Sequence, residues 1–136
     1  MKTYEFDIQT HQSQEMIDVS TYIKTVISKS KLIQGKIILF CPHTTAGLTI
    51  NENADPDVVA DIIHSLNKVF PVQGEYLHFE GNSHAHLKSS FVGTDQIVLI
   101  EHSKPLLGIW QSVFFCEFDG PRKRRLIIRT EGVYNE

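Results

Sequence analysis

The feature that most constrains this chain is an alternation of apolar and polar residues near both of its ends. Tyr4, Phe6 and Ile8 alternate with polar side chains over residues 2–9, and a second strand-like segment covers Arg125–Thr130. A period of two is typical of a strand with one buried face. Because segments with helical spacing lie between these two strands, the pattern predicts an α+β layered domain.

Further strands are predicted where apolar side chains cluster in short runs. These runs are Lys36–Cys41, Gly47–Glu52, Gln96–Glu101 and Val113–Phe118. Such runs fit strands that are covered on one or both faces. We therefore expect a single domain over residues 1–136, built as a layered sandwich of a mostly antiparallel sheet with two to three helices.

Three segments carry helical signals. Ser20 precedes Thr21–Lys31, in which apolar side chains recur at helical spacing, and Gly35 is expected to stop this region. Asp55, Pro56 and Asp57 suit the cap and first turn of a second helix. That helix is predicted to bury a stripe formed by Val58, Val59, Ile62, Ile63, Leu66 and Val69, and a short helix is predicted over Ala85–Phe91.

The composition excludes several classes of protein. Hydrophobic residues are 41% and charged residues 21% of the chain, which argues against disorder, and the net charge of -3 argues against general attraction to nucleic acid. No apolar run is long enough to span a bilayer, and the N-terminus has no apolar signal core. We expect a cytoplasmic protein without membrane or nucleic-acid partners, in which Cys41 and Cys116 are buried, reduced thiols.

Four of the seven histidines are candidates for chemistry. His43 lies at a predicted strand-end corner, and His78, His84 and His86 lie within nine residues of one another. Three neutral imidazoles and a water make an open tetrahedral site of the zinc type, with Glu80 or Glu52 as a further ligand or partner. The spacing alone fits unrelated surface histidines equally well. Of the remaining three, His64 is interpreted as a solvated helix residue, His11 as part of a polar turn and His102 as a loop residue.

The polar stretch from Asn51 to Asp57 is the second unusual feature. Capping and turn chemistry explain its last three residues, but they leave Asn51, Glu52 and Asn53 without a structural role. Alternation along the strand places Glu52 on the same side as Leu48 and Ile50, so its carboxylate is predicted to point inward and to need a partner. A metal, its bound water or an imidazole of the His43 corner is the expected partner. The alternative is an exposed turn residue.

Taken together, these residues resemble the signature of the YjbQ family of small bacterial and archaeal proteins. The matching segments are His43–Asp57, His78–Ser83, Ala85–Ser90, Leu107–Gln111 and Glu117–Arg122. Two positions depart from the family pattern. Ile109 stands where the family usually has threonine, and His84 is additional.

The resemblance implies an α+β domain that assembles as a homotrimer, with His43, His78 and His86 at the family's histidine positions. It further implies a secondary thiamine-phosphate synthase, a metal-assisted transferase that joins a pyrimidine diphosphate to a thiazole phosphate. We expect a divalent metal, zinc from the histidines or magnesium if the substrates are phosphates. Asn51, Glu52 and Asn53 are then candidate catalytic residues, and the candidate ligand contacts are Thr44, Thr45, Lys88, Trp110 and Arg122. The alternative is a non-catalytic trimeric protein that binds a metal or small ligand.

Two further segments have competing interpretations. The aromatic side chains of Trp110, Phe114, Phe115 and Phe118 belong either to the core or to a subunit interface, and alternation separates Phe115 from Phe114 and Phe118. The basic run Arg122–Arg125 is interpreted as a solvated hairpin end rather than a nucleic-acid site.

Overall fold

A computed structural model describes all residues, 1–136, and contains eight strands and three helices. The strands are β1 Lys2–Gln9, β2 Glu15–Asp18, β3 Leu32–Phe40, β4 Ala46–Glu52, β5 Asp95–Glu101, β6 Lys104–Pro105, β7 Gln111–Glu117 and β8 Lys123–Tyr134. The helices are α1 Ser20–Ser30, α2 Pro56–Val69 and α3 Ser83–Val92. The α+β class is confirmed, and every strand pair is antiparallel.

The strands form two sheets rather than one. The larger sheet has the order β1-β8-β3-β5-β6, and the smaller sheet has the order β2-β7-β4. The main core lies between them and includes Ile23 and Val26 of α1. Helices α2 and α3 cover the opposite face of the small sheet, where Phe114, Cys116 and Phe118 are buried. The layers of the molecule are therefore the large sheet, the main core, the small sheet together with α1, and finally the outer helices α2 and α3.

Alternation along β7 divides its side chains between the two cores, as predicted. Phe115 faces the main core, whereas Phe114 and Phe118 face α2 and α3. These three rings are buried inside the chain, so they form core and not a subunit interface. Trp110 is 60% exposed and stands apart from them. Cys41 and Cys116 are free and buried, as expected.

Helix α2 differs from its prediction in burial. Asp55 caps it by accepting a hydrogen bond from the Asp57 amide at 2.9 Å, but no residue of the helix is fully buried. Val59 and Leu66 pack against the buried cluster that contains Phe114, Cys116 and Phe118, while Val69 is 66% exposed. The predicted buried stripe is therefore only half-buried, because this helix is the outermost layer of the chain.

The entry and exit of α1 also differ from expectation. Ser20 is the first residue of the helix and not a residue that precedes it. The side chain of Asp18 makes the hydrogen bonds at this end, accepting from the amide and the hydroxyl of Ser20. The helix ends at Ser30, and the C-cap residue Lys31 has a left-handed φ of 62°. Gly35 lies inside β3, where an added Cβ would meet the Glu131 carbonyl oxygen at 2.1 Å. That glycine allows close approach of β8 rather than stopping the helix.

None of the three helices combines the length and the hydropathy that a membrane-spanning helix requires.

Candidate functional site

A polar cleft lies where β3 ends and β4 begins, and we call it the histidine cleft. It has a volume of about 380 Å³. Its walls come from the β3–β4 connection, the segment before α3, the start of α3 and the β7–β8 turn: Pro42, His43, Thr44, Thr45, Glu80, Asn82, His86, Asp119, Arg122 and Arg124. Five of the predicted site residues line it, namely His43, Thr44, Thr45, His86 and Arg122.

The floor of the cleft is a buried ion pair between Arg124 and Glu117. Arg124 is 4% exposed and Glu117 is fully buried. The Arg124 guanidinium donates through Nε and Nη2 to both carboxylate oxygens, and Nη2 also donates to Thr45 Oγ1 at 2.9 Å. The Thr10 hydroxyl donates to the same carboxylate at 2.7 Å. This network fixes Thr45 in the wall, because a buried charge pair is stable only when its hydrogen bonds are satisfied.

The hydrogen bonding of His43 sets its tautomer. Its Nε2 accepts a hydrogen bond from the Arg125 amide at 2.9 Å, so the neutral ring carries its proton on Nδ1. Burial, assisted by the neighbouring Arg124 charge, lowers the pKa of His43 below its usual value. The ring is therefore a neutral hydrogen-bond donor at neutral pH.

Arg122 and Asn82 are held by Asp119. Arg122 donates through Nε to the Asp119 carbonyl oxygen at 2.7 Å and through Nη2 to its carboxylate at 2.9 Å. The amide of Asn82 donates to the same carboxylate at 2.9 Å. The Asn82 Oδ1 atom is buried and has no hydrogen-bond partner. An unpaired buried acceptor is costly, so this atom suits a hydrogen-bond donor supplied by a ligand.

His86 connects the histidine cleft to a second groove. The rings of His78 and His86 are nearly perpendicular, and their centroids are 5.5 Å apart. His78 Nε2 lies 3.7 Å from the Glu80 carboxylate. The groove has a volume of about 450 Å³ and is lined by Tyr76, Leu77, His78, Ser83, His86 and Leu87. All three predicted metal histidines therefore lie in this region, two of them with their rings in contact.

The residues of a single chain do not fit the predicted three-histidine metal site. No three His, Cys, Asp or Glu side chains are close enough together to hold one metal ion. The Nε2 lone pair of His43 is already used by the Arg125 amide. A ligating imidazole needs a free ring nitrogen aimed at the metal. His78 and His86 form a pair without the third ligand.

The candidate catalytic residues Asn51, Glu52 and Asn53 lie at the end of β4 opposite to the histidine cleft. Glu52 is six residues from Ala46 along the strand, which corresponds to roughly 20 Å at the usual rise. Its side chain is half-buried, and its carboxylate has no hydrogen-bond or ion-pair partner in the chain. The Asn51 side chain accepts from the Glu52 amide, Asn53 donates to Asp18 at 2.5 Å, and the Trp110 carbonyl oxygen accepts from the Asn53 amide. The expected pairing of Glu52 with the His43 corner is wrong within one chain, because β4 separates them.

Lys88 does not reach the histidine cleft. It is fully buried, and its ammonium donates to Asn67 at 2.5 Å and Gln14 at 3.3 Å, with His84 Nδ1 at 2.7 Å. Burial lowers the pKa of Lys88 to about 8. His84, the additional histidine, thus belongs to a buried polar cluster that joins α3 to α2 and to the β1–β2 loop.

Arg124, Asn82 and Asp119 were not identified from the sequence as site residues. Arg124 carried a usable signal, since alternation along β8 places it on the same face as the buried Leu126 and Ile128. A buried arginine requires a buried acceptor, and Glu117 near the end of β7 is the partner. Asn82 and Asp119 gave no comparable signal, because both lie in loops.

Comparison with known proteins finds relatives that match nearly the whole chain. The family model described as UPF0047 protein YjbQ-like matches residues 4–133. A UPF0047 protein of Methanocaldococcus jannaschii is 48% identical over 129 residues, which cover 95% of this chain and 94% of that protein. The UPF0047 protein YugU of Bacillus subtilis is 45% identical over 126 residues, which cover 92% and 96% of the two chains.

Solved structures give the same relationship. An uncharacterised conserved protein of the YjbQ/UPF0047 family from Clostridium acetobutylicum superposes with a TM-score of 0.91 at 48% identity, covering 93% of this chain and 98% of that chain. A hypothetical protein from Aeropyrum pernix superposes with a TM-score of 0.93 at 29% identity, covering 98% and 100%. These likenesses cover 93% and 98% of this chain.

Proposed function

The chain belongs to the YjbQ-like UPF0047 family, and we propose from the geometry of the histidine cleft that it is an enzyme acting on a phosphorylated small molecule. The observation that carries this proposal is the convergence of imidazoles, hydroxyls and two arginines on one polar cleft. Phosphate oxygens are bound in proteins by guanidinium groups, hydroxyls and amides.

The donors that face a ligand can be named. Arg122 uses Nε for the Asp119 carbonyl oxygen and Nη2 for the Asp119 carboxylate, and Arg124 uses Nε and Nη2 for the Glu117 carboxylate, so Nη1 of each remains for an anion. His43 supplies its Nδ1 proton, and Asn82 Oδ1 supplies an acceptor for a hydroxyl or amino group of the ligand. His86, at the border with the second groove, is the imidazole in position for proton transfer.

The specific reaction that we propose to test first is that of a secondary thiamine-phosphate synthase. A ring nitrogen of the thiazole phosphate attacks the methylene carbon of the pyrimidine diphosphate, the carbon–oxygen bond breaks, and pyrophosphate leaves. This chemistry needs little covalent participation by the protein, but the negative charge on the leaving group must be stabilised. The free Nη1 atoms of the two arginines are suited to that task.

An assay with both purified substrates tests this proposal. Wild-type protein with excess magnesium should form thiamine phosphate, and Arg122→Met should reduce the rate by about 10-fold or more, as expected for loss of one charge-assisted contact. Arg129→Met is the matched control, since Arg129 is exposed on β8 and bonds only Thr3. Absence of product with wild-type protein would exclude this reaction.

The alternative proposal is a protein that binds a small ligand without turnover. One observation favours it: Arg122 and Arg124 are each paired with a carboxylate, so the net positive charge available to a reacting phosphate is small. Saturable binding of pyrophosphate without product formation from the two substrates would support this alternative.

A divalent metal remains a proposal to be measured. Because the single chain does not gather three ligands, we derive no reaction step from a metal. The metal content of the purified protein tests the point directly. Zinc that is present in wild-type protein and lost in His43→Ala would support the three-histidine site, whereas its absence after growth in zinc would contradict it.

We also propose that the protein is a homotrimer. Large apolar side chains remain uncovered on several surfaces: Phe40, Val69, Leu77, Phe79, Phe91, Ile97, Leu99, Leu106, Ile109 and Trp110. Exposed apolar surface of this extent is typical of a protein–protein interface. Light scattering should return about three times the chain mass of 15.5 kDa, and a value near one chain would contradict the proposal.

A further inference from the structure

A third cavity, larger than the histidine cleft and the second groove, lies at the other end of the large sheet, and we call it the lysine pocket. It has a volume of about 600 Å³, within the range of small-molecule sites. Its polar walls come from α1, the turn between β5 and β6, and the segment after β8: Lys24, Ser28, Lys31, Ser103, Lys104 and Asn135. We propose that the lysine pocket is a second anion-binding site, which takes a small molecule with a chain of three or more phosphate groups.

The lysine pocket is separate from the histidine cleft. Lys31 directly precedes the first residue of β3, whereas the corner that carries His43 follows the last. The nine residues of β3 span roughly 26 Å at the usual rise of a strand. A ligand in one site therefore does not touch the other.

The positive charge of the lysine pocket is not neutralised by the chain. Lys24, Lys31 and Lys104 make no ion pair, and no carboxylate lines the pocket. Two carboxylates belong to neighbouring segments: Glu101 is the register partner of Lys104, and Glu136 lines an adjoining hollow. Neither forms an ion pair with these lysines. A chain with a net charge of -3 thus keeps three unpaired cations at one cavity, which favours an anionic ligand.

The helix dipole explains only one of these lysines. The C-terminal end of α1 carries partial negative charge, which attracts the side chain of Lys31 beside the last turn. Lys24 lies six residues before the last helical residue, Ser30, and Lys104 belongs to β6. Because the effect of the dipole falls off within one turn, it does not account for the grouping of all three.

The other polar side chains of the pocket are free to bind a ligand. The hydroxyls of Ser28 and Ser103 and the side-chain amide of Asn135 make no hydrogen bond within the chain. Lysine binds phosphate as a point charge, and hydroxyls and amides donate to the same oxygens. A single phosphate is too small to meet lysines on separate walls of a cavity of this volume, so one phosphate for each lysine fits better. No imidazole or carboxylate lines the pocket, which suits binding rather than catalysis.

Backbone hydrogen bonds hold the walls of the lysine pocket together. The Ser103 amide donates to the Ile33 carbonyl oxygen at 2.9 Å, and the Asn135 amide donates to the Lys31 carbonyl oxygen at 2.8 Å. These bonds tie the β5–β6 turn and the segment after β8 to the connection between α1 and β3. The pocket is therefore formed before a ligand arrives, which lowers the cost of binding.

The backbone conformation marks the same place independently. Lys31, His102 and Ser103 are the only non-glycine residues of the chain with positive φ, at 62°, 50° and 59°. Lys31 and Ser103 line the pocket, and His102 is adjacent to Ser103. His102 and Ser103 form the two-residue turn between β5 and β6, where asparagine followed by glycine is favoured. Backbone strain of this kind clusters at functional sites, and here it brings the Ser103 side chain to the pocket.

Calorimetric titration of inorganic tripolyphosphate into the intact protein tests this inference. The measurement is made in an Arg122→Met background, which weakens the proposed phosphate site of the histidine cleft. We expect saturable binding there, and affinity about 5-fold lower after either Lys24→Met or Lys104→Met, as for one exposed charge pair. Lys68→Met is the matched control, because it removes one exposed lysine at the end of α2, outside the pocket, and should leave the affinity unchanged.

Two further measurements locate the site and define the ligand. Amide ¹H–¹⁵N spectra recorded during the titration should show shifts at Ser28, Ser103 and Asn135. Pyrophosphate should bind the lysine pocket more weakly than tripolyphosphate, since it can contact fewer lysines. Absence of those shifts would place the anion elsewhere and overturn the inference. Pyrophosphate that binds the Arg122→Met protein as tightly as tripolyphosphate would overturn the requirement for three phosphates.

The remaining outcomes separate this inference from the proposed function. No saturable binding in the Arg122→Met background, an equal loss of affinity in Lys68→Met, or unchanged affinity in both pocket variants would overturn the inference. Binding to wild-type protein that needs Lys24 and Lys104 but not Arg122 would keep the lysine pocket and remove the histidine cleft as a phosphate site. Binding that needs only Arg122 would do the reverse.

Discussion

Replacement of Arg124 by methionine is the perturbation whose effect the structure defines best. The guanidinium is almost fully buried, and it supplies the only cation to the buried Glu117 carboxylate. Removing one member of a buried ion pair costs about 3–5 kcal/mol, because the other charge is left uncompensated. Two donors to Glu117 remain, the Thr10 hydroxyl at 2.7 Å and the Asp119 amide at 3.1 Å. We therefore expect a loss near the lower end, about 3 kcal/mol.

Urea unfolding followed by circular dichroism measures this loss. A change of about 3 kcal/mol corresponds to a fall in Tm of about 10 °C for a chain of this length. All variants are compared at one protein concentration, since assembly contributes to apparent stability. Arg129→Met is the control and should change the unfolding free energy by less than about 0.5 kcal/mol, because that side chain is exposed.

A second variant separates buried charge from lost packing. Adding Glu117→Gln to Arg124→Met removes the uncompensated carboxylate and should recover part of the lost stability. An Arg124→Met protein as stable as Arg129→Met would refute the reasoning. A double variant that recovers nothing would show that the loss came from packing.

Three further expectations concern Lys88, His43 and Glu52. Burial holds the pKa of Lys88 at about 8 in the folded chain, below its value of 10.5 in the unfolded chain. Because the unfolded chain takes up the proton first as pH falls, the contribution of Lys88 to the unfolding free energy is present above pH 10.5 and is lost as pH falls through 8. The unfolding free energy of wild type relative to Lys88→Met should thus rise by about 3 kcal/mol from pH 8 to pH 10.5, and equal pH profiles would contradict this. Long-range ¹H–¹⁵N spectra should show His43 protonated on Nδ1 at pH 7, and because its pKa is lowered, its second protonation should occur at lower pH than that of an ordinary histidine; a ring that is doubly protonated at pH 7 would be inconsistent. Glu52→Gln should leave stability and any turnover unchanged, because the carboxylate has no partner in the chain and β4 holds it away from the histidine cleft. Turnover lowered by about 100-fold, as for loss of a proton-transfer or water-orienting group, would instead place Glu52 in the site.

The sequence predicted most elements because their periodicity reflects burial directly. Alternation in β1 and the helical spacing in α1 each match the face that the structure buries, and alternation in β7 matches the division of its side chains between the two cores. The division into two sheets was not predictable in this way, since an alternating segment does not state which neighbour it pairs with. The half-buried state of α2 was missed for a related reason: its apolar stripe indicates a covered face but not the completeness of the cover.

The candidate site was predicted in part. His43, Thr44, Thr45, His86 and Arg122 come together because short connections at one end of the small sheet and the start of α3 converge there. Lys88 was predicted as a contact to an anionic ligand, but it is fully buried. Its position in α3 instead turns it toward Asn67 and Gln14.

Glu52 was expected to partner a metal, its bound water or an imidazole of the His43 corner, because alternation along the strand turns its carboxylate inward, where it needs a partner. The extended strand β4 lies between the two residues, because His43 precedes its first residue and Glu52 is its last. Only the three-dimensional structure shows that one chain cannot join them.

Calorimetric titration of pyrophosphate into the purified protein tests the central claim most directly. The account predicts saturable binding to wild type and to Arg129→Met, with affinity reduced by about 10-fold or more in Arg122→Met, since a charge-assisted hydrogen bond contributes about 1.5–3 kcal/mol. Wild-type protein that gives no saturable heat, or an Arg122→Met variant that binds as tightly as wild type, would contradict the assignment of the histidine cleft as a phosphate-binding site.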